Sequence, residues 1–456
     1  MSRKFLSIFT IASVCLVGAF FNTFAYTTNN KGMDEDGLRS NSLVDRQLDS
    51  LMRNHKVIYI DGRPYTITEE HADSLKKLID MFYFDQFRNF SDPAAPYFLF
   101  MSKDAQLAMG VGGCVRMRGW YDWGGAIPSN GFAPYLIPMT PDPTNMRKFG
   151  TTPSGSSLFF RVIGRNKKLG EYQLYIEANF NGYNGKDFHL KKAYATINDW
   201  TIGYAATTFS DPAALPPTVD ASGPNNKLSS TSVLVRWMHS FKKRWTVAAS
   251  LETPSSDFVV QDGINKKVSD WLPDAAAFLQ YAWGRTEHVR LAGILRTLSY
   301  RDLLVQKNYN KIGWGLLLSA VGHPVDAVTL YGNVSCGRGY ESLSSDLQIG
   351  HYDLVSDPVV KGKMYAPFAV GWNFGIQYNF LPNLFACLTF SESRYLPKKG
   401  NDGSAYKWGN YLAANVFWNI TPRIQTGLEF DTGERKNVDG QHRRAQRVGA
   451  MAQFSF

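Results

Sequence analysis

Basic side chains occur at alternate positions in several segments of the sequence, as Arg116 and Arg118 do. Guanidinium and ammonium groups bind carboxylates and phosphates, and the planar guanidinium can do so through two parallel hydrogen bonds. Acids on the same faces are fewer, chiefly Glu177, Glu252, Glu429 and Asp431. The pattern predicts an anion-binding surface, although each base could instead pair with an acid and only stiffen the structure. Its predicted members are Arg116, Arg118, Arg161, Arg165, His189, Lys191, Arg236, Arg290, Arg296 and Arg447.

The elements that carry these residues alternate between apolar and polar positions over about ten residues, the length of a tilted strand that crosses a bilayer. Residues 368–378 place aromatic and aliphatic side chains at every second position, with small or polar residues between them. Residues 412–420 and the last strand, which ends at Phe456, repeat the pattern. A soluble β-sandwich also alternates, but its strands are usually nearer five or six residues. We therefore predict an all-β, antiparallel transmembrane barrel.

Loop lengths support this architecture, because short turns alternate with long loops rich in Gly, Pro, Ser and Asp, as in outer-membrane barrels. Barrels of about sixteen strands leave an aqueous channel, and the basic faces would line it. The pattern predicts sixteen strands, at residues 107–120, 157–166, 171–180, 187–197, 200–208, 231–241, 245–253, 275–283, 288–298, 312–322, 326–336, 366–380, 384–395, 408–420, 423–433 and 445–456.

The connection over residues 209–228 is a candidate constriction. It is stiffened by prolines and apolar enough to fold against a wall. Its key residues are Phe209, Asp211, Pro212 and Pro216. An ordered external loop is the alternative.

The amino-terminal part differs in composition. Residues 1–25 have a basic start, an apolar stretch and small residues near Ala25, which predicts a cleaved signal peptide. Residues 26–96 are predicted to form a small α/β periplasmic extension with a short coiled-coil-like helix, a hairpin at residues 57–67 and a helix starting after Thr68. Residues 97–456 then form the barrel. The predicted location is the bacterial outer membrane, in contact with its lipids.

The 456 residues include 49 Lys and Arg and 39 Asp and Glu, a net charge of +10. The basic residues are spread along the chain, which does not indicate nucleic-acid binding. The sequence contains no HExxH, GxSxG or P-loop motif, and its cysteines form no CxxC pair. We predict no enzyme activity, no metal and no cofactor, and we expect the histidines other than His189 on the surface or in turns.

Several runs of residues resemble the DcaP-like trimeric porins, which are related to the phosphate-selective porins. The resemblance covers residues 100–456, and its runs are 156–160, 175–180, 188–194, 202–204, 208–211, 250–254, 291–296, 313–316, 427–430 and 433–435. It implies a homotrimeric, sixteen-stranded outer-membrane channel, permeable to small anionic solutes such as dicarboxylates. Family members carry Arg at the positions of His189 and Lys191 and a base at Lys192.

The predicted function is passive diffusion of small anions through a positively charged lumen. The alternative is a structural or adhesive barrel without significant transport, which would not need a lumen of one charge sign. A lipase-like site at His239 and Ser240 is disfavoured because adjacent strand residues point to opposite faces. A plugged, energised transporter would need about twenty-two strands.

Overall fold

The computed structural model describes residues 56–59, 81–82, 85–93, 96, 98–102, 106–125, 127–166, 168–181, 186–242, 244–260 and 262–456. Its strands are β1 (Lys56–Tyr59), β2 (Phe98–Met101), β3 (Leu107–Trp123), β4 (Arg147–Thr152), β5 (Ser157–Asn166), β6 (Gly170–Phe180), β7 (Phe188–Ile197), β8 (Trp200–Ala206), β9 (Thr231–Phe241), β10 (Trp245–Glu252), β11 (Asn265–Lys267), β12 (Asp274–Ala282), β13 (His288–Asp302), β14 (Lys307–Val325), β15 (Val328–Arg338), β16 (Val355–Ser356), β17 (Met364–Tyr365), β18 (Phe368–Leu381), β19 (Leu384–Leu396), β20 (Tyr406–Asn419), β21 (Ile424–Asn437) and β22 (His442–Ser455).

Sixteen of these strands form a closed antiparallel barrel, as predicted. Each barrel strand pairs with the next along the chain, and β22 returns to pair with β3, where Gln453 lies opposite Arg116. The last residue completes the seam, because the backbone N–H and C=O of Phe456 both bond to Gly113. The barrel strands are β3, β5 to β10, β12 to β15 and β18 to β22.

The alternation places apolar side chains outside and polar ones inside. On β3, Val115 and Met117 are 62% and 59% exposed, whereas Arg116 and Arg118 are buried. Exposed aromatic residues also flank the short turns, as Trp200 does beside the turn after β7. An apolar outer belt with aromatic residues at its edge is the surface that a bilayer requires. This barrel therefore fits the bacterial outer membrane.

Two of the short turns contain a residue whose backbone adopts the left-handed conformation, with a positive φ angle. Asn198 has φ 49° in the turn between β7 and β8, and Lys242 has φ 51° between β9 and β10. One predicted turn is wrong: residues 323–325 belong to β14, which continues past Pro324 through a bulge between Gly322 and Val325. A bulge tolerates proline because its backbone makes no regular ladder bond there.

The long loops add short helices and small strands that the sequence pattern did not predict. Strand β4 pairs with the outer half of β3, β11 pairs with the end of β13, and β16 and β17 form a separate hairpin. The helices are the 3-10 turns Pro134–Leu136, Pro143–Asn145, Pro212–Ala214 and Glu341–Leu343 and the α-helix α1 (Ser345–Gln348). Within the described residues, no helix is long and apolar enough to cross a membrane.

The predicted signal peptide and coiled-coil-like helix lie outside the described residues, as does most of the predicted helix after Thr68. Of the predicted hairpin, the first arm is β1, which pairs in parallel with β2, and β2 pairs with the start of β3. Residues 85–93, here called the lumen segment, contact the inner face of the barrel. The segment is mostly polar, but it carries two aromatic side chains into the barrel, and Phe87 is only 6% exposed.

The hydrophobic core lies inside the barrel rather than between layers. Its largest cluster joins the lumen segment, the loops and the inner faces of strands. Phe87, Phe209, Tyr340, Leu347 and Tyr406 are all buried within it. Loops and the lumen segment therefore narrow the space inside the sixteen strands, and the buried apolar side chains of the loops avoid water there.

Candidate functional site

The candidate site is the narrowed interior of the barrel, which two segments occupy. One is the lumen segment. The other is residues 207–228, here called the inner loop, which contains all four residues of the predicted constriction. Phe209 and Asp211 are 0% and 1% exposed, and Pro212 and Pro216 are also buried. The inner loop is thus folded into the barrel and not extended into solvent.

One end of the inner loop is anchored by Asp211. Its Oδ2 lies 2.8 Å from Nε2 of His288 and accepts a hydrogen bond of 2.5 Å from the Ser319 hydroxyl. Oδ1 lies 3.5 Å from Nη1 of Arg290. His288 was expected at the surface or in a turn, but it stands at the start of β13 and is buried. His288 follows a predicted turn, and nothing in the sequence near it indicated that Asp211 of the inner loop would contact it.

The middle of the inner loop is anchored by Glu429, which accepts hydrogen bonds from the backbone N–H groups of Val219 and Asp220 at 2.8 and 2.5 Å. Asp220 also reaches Arg447, whose Nη1 lies 3.3 Å from its Oδ2. Arg447 is further paired with Asp122 at 2.6 Å. The predicted anion-binding residue Arg447 therefore serves as a fixed support of the inner loop.

The lumen segment spans the barrel through two aromatic side chains. Phe87 contacts the ring of Phe278 on β12 and lies under the guanidinium of Arg236 on β9, 3.9 Å from its ring centre. Phe90 packs edge-on against Phe385 and Phe417 on β19 and β20, with ring centroids 5.9 and 5.0 Å apart. These strands stand on opposite sides of the closed sheet, so the segment crosses the lumen.

A cluster of charges ties the same segment to β7. Asp92 Oδ1 lies 2.6 Å from Nζ of Lys191, and its Oδ2 lies 3.1 Å from Nζ of Lys192. Lys191 also contacts Glu177 at 2.8 Å. Both lysines face inward because a register shift between Glu177 and Ala178 gives β7 one extra residue here. Strict alternation predicted Lys191 but not Lys192, which only the resemblance to the DcaP-like porins had indicated.

Two further cations line a cavity between the lumen segment and the inner loop. The cavity has a volume of about 30 Å³, is continuous with solvent, and is lined by residues that include Asn89, Ser91, Arg118, Asp220 and Lys227. Arg118 donates only to the backbone oxygens of Val219 and Ser154, and Lys227 donates to that of Ser222. Within the described part of the chain, neither forms an ion pair. Lys227 was not among the predicted residues, because the prediction used the alternation of strand residues and Lys227 lies in a loop.

The remaining predicted bases donate hydrogen bonds to side chains or backbone oxygens, or lie away from this cavity. Arg116 donates to Gln453 and to the backbone oxygen of Ser91 at 2.8 Å. The other placements are as follows: Arg161 donates to the backbone of Phe82, Arg236 to that of Ala206, Arg290 to Gln280, and Arg296 pairs with Asp274 and Asp353. Arg165 lies at a short turn, 77% exposed, near Glu171. His189 is exposed, opposite Asn179 near the outer end of β7.

The interior is not of one charge sign, which corrects the expected excess of bases. The strand acids are joined by acids from the loops and the lumen segment, which the strand pattern did not include. These added buried acids are Asp92, Asp211, Asp220, Glu341, Asp346 and Asp353. The excess of cations is local, around Arg116, Arg118, Lys191, Lys192 and Lys227.

The outer mouth holds one carboxyl group with an unusual titration. Asp346 of α1 is 1% exposed and accepts hydrogen bonds from the hydroxyl of Tyr406 at 2.9 Å and from the backbone N–H of Tyr135 at 3.2 Å. Burial raises the pKa of Asp346 to about 7, because a charged carboxylate is poorly solvated there.

The described residues offer no other recognisable chemistry. Among them, no group of three or more His, Cys, Asp and Glu side chains is arranged to hold a metal ion. Cys114, Cys336 and Cys387 are buried free thiols. The absence of enzyme activity and of a cofactor stays a prediction.

No protein-family model and no curated protein matches the chain. Among solved structures, it is similar to the outer membrane channel DcaP of Acinetobacter baumannii, with a TM-score of 0.66, 20% identity and coverage of 78% of this chain and 99% of that one. It is also similar to the anion-selective porin from Comamonas acidovorans, with a TM-score of 0.52, 10% identity and coverage of 77% and 100%. The predicted likeness to DcaP-type channels is confirmed at the level of the fold: the chain has the fold of an outer-membrane porin.

Proposed function

We propose that this protein is an outer-membrane porin through which small anionic solutes, such as dicarboxylates, diffuse passively. The observation that carries the proposal is the cavity between the lumen segment and the inner loop. Arg118 and Lys227 line it from the wall and from the inner loop, Asp220 is the one acid in its lining, and within the described residues neither cation forms an ion pair with an acid. Charge in a water-filled gap with low-dielectric walls raises the local concentration of anions.

The geometry suits a solute with two carboxylates. The Arg118 guanidinium offers a planar pair of donors, and the Lys227 ammonium is a mobile point charge, so each can bind one carboxylate. Lys191 and Lys192 provide a second pair of cations close by. Successive cationic sites of moderate strength allow a solute to enter and also to leave.

The assembly we propose is a homotrimer in contact with outer-membrane lipids. The apolar belt on the outside of β3 and its neighbours supports the lipid contact. The trimer rests on the resemblance to trimeric porins and on the similarity of fold to outer-membrane porins.

The test is the reversal potential of the purified protein in a planar bilayer under a gradient of potassium succinate. Anion preference is expected, and it should weaken in the variant with Arg118→Gln and Lys227→Gln. The matched control is Lys399→Gln, which removes the same kind of charge from an exposed position in an external loop.

A structural or adhesive barrel is the second candidate, and the filling of the interior by the inner loop and the lumen segment favours it. Folded protein that gives no current in any potassium salt would support this candidate and reject the channel.

A further inference from the structure

The Asp92 carboxylate is bound as a solute carboxylate would be. Each of its oxygens contacts a different ammonium group, Oδ1 that of Lys191 and Oδ2 that of Lys192. Oδ2 also accepts the backbone N–H of Asn89 at 3.0 Å, which fixes the carboxylate on its own turn. A pair of lysines on a strand bulge thus holds a carboxylate that comes from another part of the chain.

The lumen segment is attached to the wall without joining the sheet. The backbone hydrogen bonds of its residues are internal, from the N–H of Arg88 to the oxygen of Asp85 and from the N–H of Asp92 to that of Asn89. Apart from the Ser91 oxygen, which accepts from Arg116, its wall contacts are made by side chains, chiefly those of Phe87, Phe90 and Asp92. Displacing it therefore breaks side-chain contacts but no strand pairing.

We propose that the lumen segment is an internal stopper, and that Lys191 and Lys192 form a carboxylate-binding site which Asp92 occupies in the closed channel. A small carboxylate solute competes with Asp92 for the two ammonium groups, and the segment then leaves its place across the lumen. This inference rests on the proposed channel function and adds to it a site and a means of opening.

The competition is feasible because Asp92 acts as a tethered ligand. Its advantage over a free carboxylate is its effective concentration at the two ammonium groups, so a free carboxylate must exceed that concentration to displace it. A dicarboxylate has the further advantage that its second carboxylate can reach Arg118 or Lys227. The two aromatic contacts of Phe87 and Phe90 oppose the displacement and restore the closed state when the solute leaves.

The test compares the potassium chloride current of the full-length wild type with that of Asp92→Asn, before and after addition of succinate. Succinate should raise the wild-type current several-fold, because it releases the stopper. Asp92→Asn should start with a current about tenfold higher, since the closed state has lost its charged contact, and succinate should lower it by binding in the open path. Nitrate at equal ionic strength controls for screening, and Asp142→Asn, at an exposed external turn, controls for loss of one acid.

A wild-type current that succinate only lowers would overturn the stopper and leave the porin intact. Absence of current from both proteins in every salt would instead reject the proposed function. If Asp92→Asn fails to fold, the direction of the wild-type response to succinate still decides between the open and the stoppered channel.

Discussion

The ammonium of Lys192 on β7 lies 3.1 Å from the carboxylate of Asp92, which precedes Lys192 in the chain by a hundred residues. The contact exists because the bulge in β7 turns two consecutive lysines inward. Lys191 and Lys192 therefore share one acid from the lumen segment.

Replacing both lysines by glutamine should abolish the response to succinate. Without the two ammonium groups, neither Asp92 nor a succinate carboxylate has a cation to bind at this site. Succinate then has nothing to compete for and cannot release the lumen segment. We expect a wild-type rise in current with succinate and none in the double variant, measured in planar bilayers. Lys399→Gln should respond as the wild type does, and a double variant that still responds would place the carboxylate site elsewhere.

Asp211→Ala should free the first end of the inner loop. Breaking a buried ion pair by removing one partner costs about 3–5 kcal/mol, because the other charge stays buried and unpaired. Here His288, Arg290 and Ser319 lose their shared acceptor. Thermal unfolding in detergent, followed by heat-dependent gel mobility, should occur at a lower temperature than in the wild type. An unchanged transition would show that Asp211 does not hold the loop.

Phe87→Ala should weaken the closed position of the lumen segment without changing the lumen charge. The ring is sandwiched between Arg236 and Phe278, and a buried cation–π contact contributes about 2 kcal/mol. We expect a higher current in potassium chloride and an unchanged reversal potential. A shift in the reversal potential would mean that Phe87 also orders the charges that select ions.

The stability of the outer mouth should depend on the protonation of Asp346. Its pKa in the folded protein is about 7, above the ordinary value of 3.8. The folded mouth therefore favours the protonated acid, and its stability falls as pH rises from about 4 to about 7, by at most ~1.4 kcal/mol per pH unit. Asp346→Asn mimics the neutral acid and should remove most of this dependence.

The measurement for Asp346 is the melting temperature in detergent at pH 5 and pH 8. The wild type should lose more stability than Asp346→Asn on going to pH 8. Equal losses in the two proteins would assign the pH dependence to other groups.

The barrel strands could be predicted from sequence because a bilayer demands an apolar side chain at every second outward position. That pattern also indicated which bases of β3, β13 and β22 point inward. It failed at Lys192, since one extra residue in a strand exchanges the two faces and leaves no trace in composition.

The filling of the interior could not be predicted in the same way. The inner loop was considered as a constriction because of its prolines, but its anchors, His288 and Glu429, lie far away in sequence. The lumen segment has no periodic pattern, and its position follows from where Phe87, Phe90 and Asp92 find partners. These contacts join residues that are far apart in sequence, and the residues come together only when the barrel closes.

The central claim is that the cations around the cavity make the open path selective for anions. The most direct test is the reversal potential under a potassium succinate gradient, with the Arg118→Gln, Lys227→Gln variant beside the wild type and the Lys399→Gln control. We predict anion preference in the wild type and the control, and a clear reduction in the double variant. Cation preference in the wild type, or the same preference in all three proteins, would contradict this account.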